Sequence, residues 1–299
     1  MVPGEFRLNL TAIIPTRNRP EQVCRLVKDL REWNCEVIVV DDYSQMSVVV
    51  EGAKVVRNPR RLGGSESWNV GGKQAKSDWL FLIADDLVPS PGLRAFIENL
   101  LPKLKMRDVV GFRIVGFNRM GSRTVKLPYR DSTVARVLNI LFGTDTSPHT
   151  GPSRFTTGAM IFHSKFFASL GGFDSRTYAG NGFREESDLQ LRARQKGGRL
   201  LYIEDPFFYH LNVTGGYQKG RSENELYFMR NQTIFALKTA RLSSLPMIAG
   251  YGAYLLAYGL PMCTIVRGIA EGAAKMIRDK SLSTTPKDIS ETREDETFD

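Results

Sequence analysis

Two stretches limit what this chain can fold into: CEVIVVDD, residues 35–42, and WLFLIADD, residues 79–86. Each is an unbroken apolar run closed by two adjacent aspartates. A run that is apolar at every position is buried on both faces, as parallel strands are when helices cover both sides of their sheet. Strand-like and helix-like segments alternate around these runs. Leu10 to Ile14 is a short β-rich run ended by Pro15. RPEQVCRLVKDLREW follows, with Val23, Leu26, Val27 and Leu30 at helical spacing and Pro20 suited to a first turn. KVVRNP reads as a strand, and SESWNVGGKQAK as a helix weakened by Gly71-Gly72. After WLFLIADD come Leu87-Val88, a Pro-Ser-Pro turn, and the helix PGLRAFIENLLPKLK. This alternation predicts an α/β fold, an open parallel sheet with helices on both faces.

From about Asn118 to Arg154 the chain mixes Gly, Arg, Pro, Ser and Thr, with one helix candidate at ARVLNILFG. Order returns with GAMIFH, SKFFASLGGFD, EESDLQLRARQKGG and RLLYIEDPFFYHL, read as strand, helix and turn, helix, strand. In open α/β sheets ligands bind beyond the carboxyl ends of the strands. Neighbouring strands would therefore bring Asp41-Asp42 and Asp85-Asp86 to one rim. Adjacent carboxylates repel. A divalent cation removes that cost, and Mg2+ or Mn2+ commonly joins one or two carboxylates to a diphosphate. The plainer alternative is that Asp85-Asp86 caps the next segment. Charge is compatible with a phosphorylated ligand. The net charge is +9, and PKDISETREDETFD near the C-terminus holds six acidic and two basic residues, so the body is near +13. A basic body also suits nucleic acid or an anionic membrane.

TAIIPTRNRPEQV, EVIVVDDYS, DWLFLIADDLV, GAMIFHSKFFASLGGFD and FREESDLQLRARQKGGRLLYIEDPFFYH, in that order from Leu10 to about Gly216, resemble family 2 glycosyltransferases of GT-A fold. HLNVTGG after the last strand resembles a further pattern of that family. The resemblance implies a Rossmann-like, mostly parallel open sheet and an inverting transfer that uses Mn2+ or Mg2+. It aligns Ala84-Asp85-Asp86 with the family's D-x-D triplet, whose first acid is missing here. It puts the metal on Asp86 and sets Asp85 toward ribose or phosphate. His210 matches a histidine that can complete the metal site. Pro15, Thr16 and Arg17 match the loop that wraps the nucleobase. Asp41 matches the acid that accepts a hydrogen bond from the base, supported by Asp42 and Ser44. RRLGGSESWN matches the segment under base and ribose, where Gly63-Gly64 permits close approach. An ordinary turn with solvated Arg60 and Arg61 is the alternative there.

Inverting transfer needs a base that takes the proton of the acceptor hydroxyl. The resemblance assigns it to Glu186. Glu185 is the alternative, because one residue of helical rotation is invisible in sequence. Asp188 and Arg192 are spaced i, i+4 and can pair, which makes Asp188 a support. Acids in a first helical turn also suit the macrodipole without any catalytic role. Asp174, in GGFD, resembles an acid on the sugar or acceptor side, and Arg192 is placed on that side with it.

Ser222 to Ala240 reads as a helix, and residues 242–266 carry no charge. That length could cross a bilayer. Pro246, Pro261 and three glycines argue instead for an interfacial or shallowly inserted helix, with Tyr251, Tyr254 and Tyr258 at the interface. A helical hairpin packed on the catalytic domain or on a second copy, as in a homodimer, is the alternative. Similar family members lie on the inner membrane face near lipid-linked acceptors. The expected organisation is a GT-A domain over 1–216, a membrane-associated helical region over 217–280 and an acidic, disordered tail over 281–299. Cys24, Cys35 and Cys263 form no CxxC pair, which suits reduced thiols. No signal peptide is expected, so the expected location is the cytoplasmic face of the cell membrane. The expected function is transfer of a sugar from a nucleotide-sugar donor to a glycan or polyprenyl-linked acceptor. A non-catalytic nucleotide-sugar binder is the alternative. A nucleotidyltransferase would need a Gly-rich loop with a Lys after the first strand, and PTRNRPE lacks it. Nucleic acid is not an expected partner, since aromatic-basic surface motifs are not found.

Overall fold

The computed structural model of the chain describes residues 8–116, 150–153, 155–156, 158–178, 183–211, 221–239, 244–257 and 259–279. The helix candidate at 135–143, residues 212–216 of HLNVTGG, Tyr258 and the acidic tail lie outside the described residues. The chain divides into two compact units, residues 1–224 and 225–299.

The first unit begins with β1 (Leu10–Thr16), α1 (Pro20–Arg31), β2 (Glu36–Asp41), β3 (Lys54–Arg57), α2 (Gly64–Gln74) and β4 (Trp79–Leu82). Next come β5 (Leu87–Pro89), α3 (Leu93–Leu100), a 3-10 turn (Leu101–Lys103) and β6 (Asp108–Gly116). β7 (Gly151–Pro152), β8 (Met160–His163), α4 (Ser164–Ser169), α5 (Glu185–Gln195) and β9 (Arg199–His210) complete it. The sheet order is β3-β2-β1-β4-β8-β6-β9-β5, with β7 paired to β9.

The first four strands are parallel, as their apolar runs require. Successive side chains of β1 and β2 enter opposite cores. Ala12, Ile14, Val37 and Val39 meet Val23, Leu26, Val27 and Leu30 of α1. Ile13, Ile38 and Val40 lie in the second core with Trp68 of α2 and Leu189 of α5. The sheet as a whole is mixed, with more antiparallel pairing than the mostly parallel sheet expected. β8 runs antiparallel to both β4 and β6, and β5 runs antiparallel to β9. β1 also extends past Pro15. β4 pairs with β1 only as far as Ile13, so the missing N–H of Pro15 breaks no bond on that side.

Two details of this packing set up the rim. Gly71 lets α2 lie against the sheet, since a Cβ there would collide with the Ile13 side chain and come 3.3 Å from Val40 Cγ2. The glycine that weakens the helix in sequence is what admits it to β1. β5 was not foreseen in the sequence, where Leu87-Val88 only precedes the Pro-Ser-Pro turn. Its pairing sets Leu87 opposite His210, and the Leu211 N–H donates to the Asp86 carbonyl at 2.8 Å.

In the second unit the uncharged stretch 242–266 is not one helix. It is divided between α7 (Ser244–Ala257) and α8 (Met262–Arg278), which follow α6 (Arg221–Thr239). Gly259 at φ 84° and Pro261 at the helix N-cap separate them. Among the described residues no helix is long and apolar enough to cross a membrane. Gly268 and Gly272 of α8 pack closely on Met229, Arg230 and Thr233 of α6. Leu245, Leu256, Met262, Val266 and Ile277 remain exposed.

Candidate active site

The predicted acids gather where β1, β2 and β4 end. At the end of β4, Asp85 and Asp86 are both buried. The Arg19 guanidinium lies between them, with Nη1 2.9 Å from Asp85 Oδ1 and 2.7 Å from Asp86 Oδ2. Thr16 Oγ1 donates to Asp85 Oδ2 at 2.7 Å. Burial pushes the Asp85 carboxyl up to about 6, although Arg19 and the Thr16 hydroxyl pull the other way. The second acid differs. Asp86 Oδ1 is buried without a hydrogen-bond partner, and the exposed His210 holds Nε2 3.6 Å from Asp86 Oδ2.

Asp41 and Asp42 spend their oxygens on the chain itself. Asp41 accepts from the N–H of Ser44 at 2.9 Å, from the N–H of Val48, and from Arg57. Burial would raise its pKa, but these donors outweigh it and hold the carboxyl below the usual range. Asp42 accepts from Asn58 Nδ2 at 2.9 Å and from the N–H groups of Leu62 and Gly63 at 2.7 and 2.9 Å. It fixes the RRLGG turn, where Gly63 at φ 92° leads into α2. Both carboxylates are fully buried. These contacts make Asp41 an anchor of the loop after β2. Pro15 is buried within β1. Arg17 Nη1 donates to the carbonyls of Asp42 and Tyr43 at 2.9 and 2.8 Å, tying the loops after β1 and β2 together.

The helix acids join the same rim through α2. Asp42 N–H donates to Thr16 O, Gly63 N–H donates to Asp42, and Ser65 Oγ, one residue into α2, donates to Glu185 Oε2. An unbroken line of contacts thus runs from Asp85 to the first residue of α5. Arg184, at φ 72°, turns the chain so that α5 opens directly on Glu185 and Glu186. Burial pushes Glu185 up to about 8, with its Glu186 neighbour adding to the effect and Ser65 opposing it. Burial pushes the partly accessible Glu186 up to about 7. Each carboxyl can take up or release a proton near neutrality, which suits a general base.

Asp188 and Arg192 form scaffolding for the GGFD turn. Arg192 Nε lies 2.8 Å from Asp188 Oδ2, and its Nη1 and Nη2 donate to the carbonyls of Leu170 and Gly172 at 2.5 and 2.8 Å. Asp174 Oδ1 accepts from the Thr177 N–H at 3.2 Å. Arg19, Asn58 and Ser65 were missed in the sequence. A signal existed for Arg19. It precedes the helix-opening Pro20, and a cation at a helix N-cap is unfavourable unless acids elsewhere hold it.

A mixed α/β sheet with acids gathered at its strand ends is the architecture of the GT-A glycosyltransferases. A fragment of S. aureus TarS superposes with a TM-score of 0.52 at 16% identity, covering 92% of this chain and 74% of that one. A mannosyltransferase from Pyrobaculum calidifontis, in complex with GDP-Man and Mn2+, gives 0.50 at 18% identity, covering 92% and 82%. At such identities the likeness concerns the fold alone. The model of the family described as Glycosyl transferase family 2 matches residues 11–166, and the chain belongs to that family. An uncharacterized glycosyltransferase of Haemophilus influenzae is 41% identical over 85 residues, which cover 26% of this chain and 29% of that protein. A pre-mycofactocin glycosyltransferase of Mycobacterium tuberculosis is 28% identical over 213 residues, 67% of this chain and 42% of its own length. The chain thus spans less than half the length of these relatives.

Proposed function

We propose that the protein is an inverting glycosyltransferase that moves a sugar from a nucleotide-sugar donor to a hydroxyl of a glycan or polyprenyl-linked acceptor, aided by Mn2+ or Mg2+. The observation that carries this reading is the line of contacts from the β4 acids to Glu185, the first residue of α5 and the neighbour of Glu186. It supports reading Asp86 as a cation-binding carboxylate and Glu186 as a proton acceptor of one site.

Among the described residues no group of three or more His, Cys, Asp and Glu could hold a metal. A metal shared with a donor needs fewer protein ligands. The unpartnered Asp86 Oδ1, with the His210 imidazole beside it, fits a cation whose remaining ligands are diphosphate oxygens and water. When bound, such a cation neutralises charge on the departing diphosphate. The chain's own residues do the rest. Arg19 balances Asp85 and Asp86 and lies where the diphosphate arrives. Arg17 and the Gly63-Gly64 backbone line the nucleoside side. Glu186 accepts the hydroxyl proton as the acceptor oxygen bonds to the anomeric carbon. The bond to the diphosphate oxygen breaks on the opposite face, and the electron pair leaves with that oxygen. Glu185, donated to by Ser65, holds the start of α5. Asp174 lies toward the sugar or acceptor.

A location on the cytoplasmic face of the membrane is part of the proposal. The exposed apolar side chains of α7 and α8, with Arg267, Lys275 and Arg278 nearby in sequence, support interfacial docking.

The test is a screen of the purified protein against UDP-, GDP- and dTDP-sugars for Mn2+-dependent thermal stabilisation, then for transfer with the stabilising donor. Asp86→Ala is expected to lose the Mn2+ dependence of stabilisation. Glu186→Gln is expected to keep donor stabilisation and lose transfer by about 100- to 10,000-fold. Full transfer by Glu186→Gln and loss by Glu185→Gln would move the base by one residue.

A further inference from the structure

We infer that Gly158 is a positioning residue for the base. Its missing side chain is the notch that receives the Glu186 carboxyl. This rests on the reading of Glu186 given above and extends it to a residue with no chemistry of its own.

A Cβ on Gly158 would lie 2.9 Å from Glu186 Cδ, 3.2 Å from Oε2 and closer still to Oε1. The three atoms nearest to that Cβ all belong to this one carboxyl group. Gly158 precedes β8, and its backbone needs no left-handed conformation. Its role is therefore space and not φ.

The notch is held in register with the helix. Gln190 lies one turn after Glu186 and is fully buried. Its Oε1 accepts from the Thr156 N–H at 2.7 Å, and its Nε2 donates to the Thr156 carbonyl at 3.2 Å. The same Nε2 reaches Met160 Sδ at 3.1 Å. These bonds clamp residues 156 and 160 on either side of Gly158 to α5. Thr156 in turn packs on Gly111 of β6, where a Cβ would come within 3.0 Å of Thr156 Cγ2. The loop cannot retreat to make room for a methyl group. The carboxyl can, because it ends a flexible arm. A methyl at 158 would push the base aside and leave the fold in place.

The two positions are thus coupled by size. A glutamate at 186 needs a glycine at 158, whereas an aspartate, one methylene shorter, leaves room for a methyl. The adjacent Glu185 has no such freedom, because Ser65 holds it.

The experiment compares Gly158→Ala, Glu186→Asp, Glu186→Gln and the Gly158→Ala/Glu186→Asp double variant with the donor that stabilises the protein. Gly158→Ala should lower kcat by about 100-fold, the cost of misplacing a catalytic group by about 1 Å. Donor KM and melting temperature should stay unchanged. Glu186→Asp alone should also lose kcat. The double variant should be no worse than Glu186→Asp, because the shorter carboxyl no longer meets the methyl. Wild-type kcat in Gly158→Ala, beside an inactive Glu186→Gln, overturns the positioning role and leaves the base intact. A double variant well below Glu186→Asp reduces position 158 to general packing and overturns it too. Full activity in Glu186→Gln instead removes the base reading itself.

Discussion

Two carboxyl groups of this rim are separated by their surroundings. Asp41 is held below the usual carboxylate range while Glu186 is pushed up to about 7. The difference lies in donors. Asp41 has backbone N–H groups and a guanidinium aimed at it, and Glu186 has burial alone. A base must be ionised to work, so kcat should fall as pH drops through about 7, and a pH-rate profile reads this directly. A profile flat down to about 5 would show that burial does not raise the pKa of Glu186 in this way. Arg19 yields a second prediction. Removing it leaves two buried carboxylates facing each other, and breaking a buried pair costs about 3–5 kcal/mol. Arg19→Ala should lower the urea midpoint accordingly in the absence of metal, and Mn2+ should restore more stability to this variant than to the wild type. An equal Mn2+ effect in both would show that Arg19 and the cation do not share the charge of Asp85 and Asp86.

At the scale of elements, the apolar runs made the parallel half of the sheet legible. CEVIVVDD can only be buried on both faces, and it is. The antiparallel half was hidden. β5 is three residues long and gains its strand character from pairing with β9, which no local pattern encodes. The site divides the same way. The acids could be read from chemistry and spacing. The contacts of Arg19, Ser65 and Gly158 are made across 66 to 120 positions of sequence for the first two and 28 for the third, and they depend on how α2, α5 and β8 pack. Gly71 shows how a local rule fails. Helix propensity favours alanine there, but the sheet does not. Gly71→Ala should destabilise the protein by about 1–3 kcal/mol through overpacking against Ile13, despite its better helix propensity. Chemical denaturation checks it, and a gain in stability would mean that α2 lies further from β1 than described.

For the whole molecule, the open question is how the second unit is used. Under interfacial docking, the protein should co-sediment with anionic vesicles more than with neutral ones, and less as salt rises. Met262→Asp with Val266→Asp should cut the bound fraction several-fold without changing transfer to a soluble acceptor. Equal binding by this variant would assign those side chains to another contact. The interruption at Gly259 to Pro261 carries a practical consequence. If α7 and α8 rest in the headgroup layer as two short arms, strong brine or alkaline carbonate should release the protein from isolated membranes, whereas a single spanning helix would need detergent.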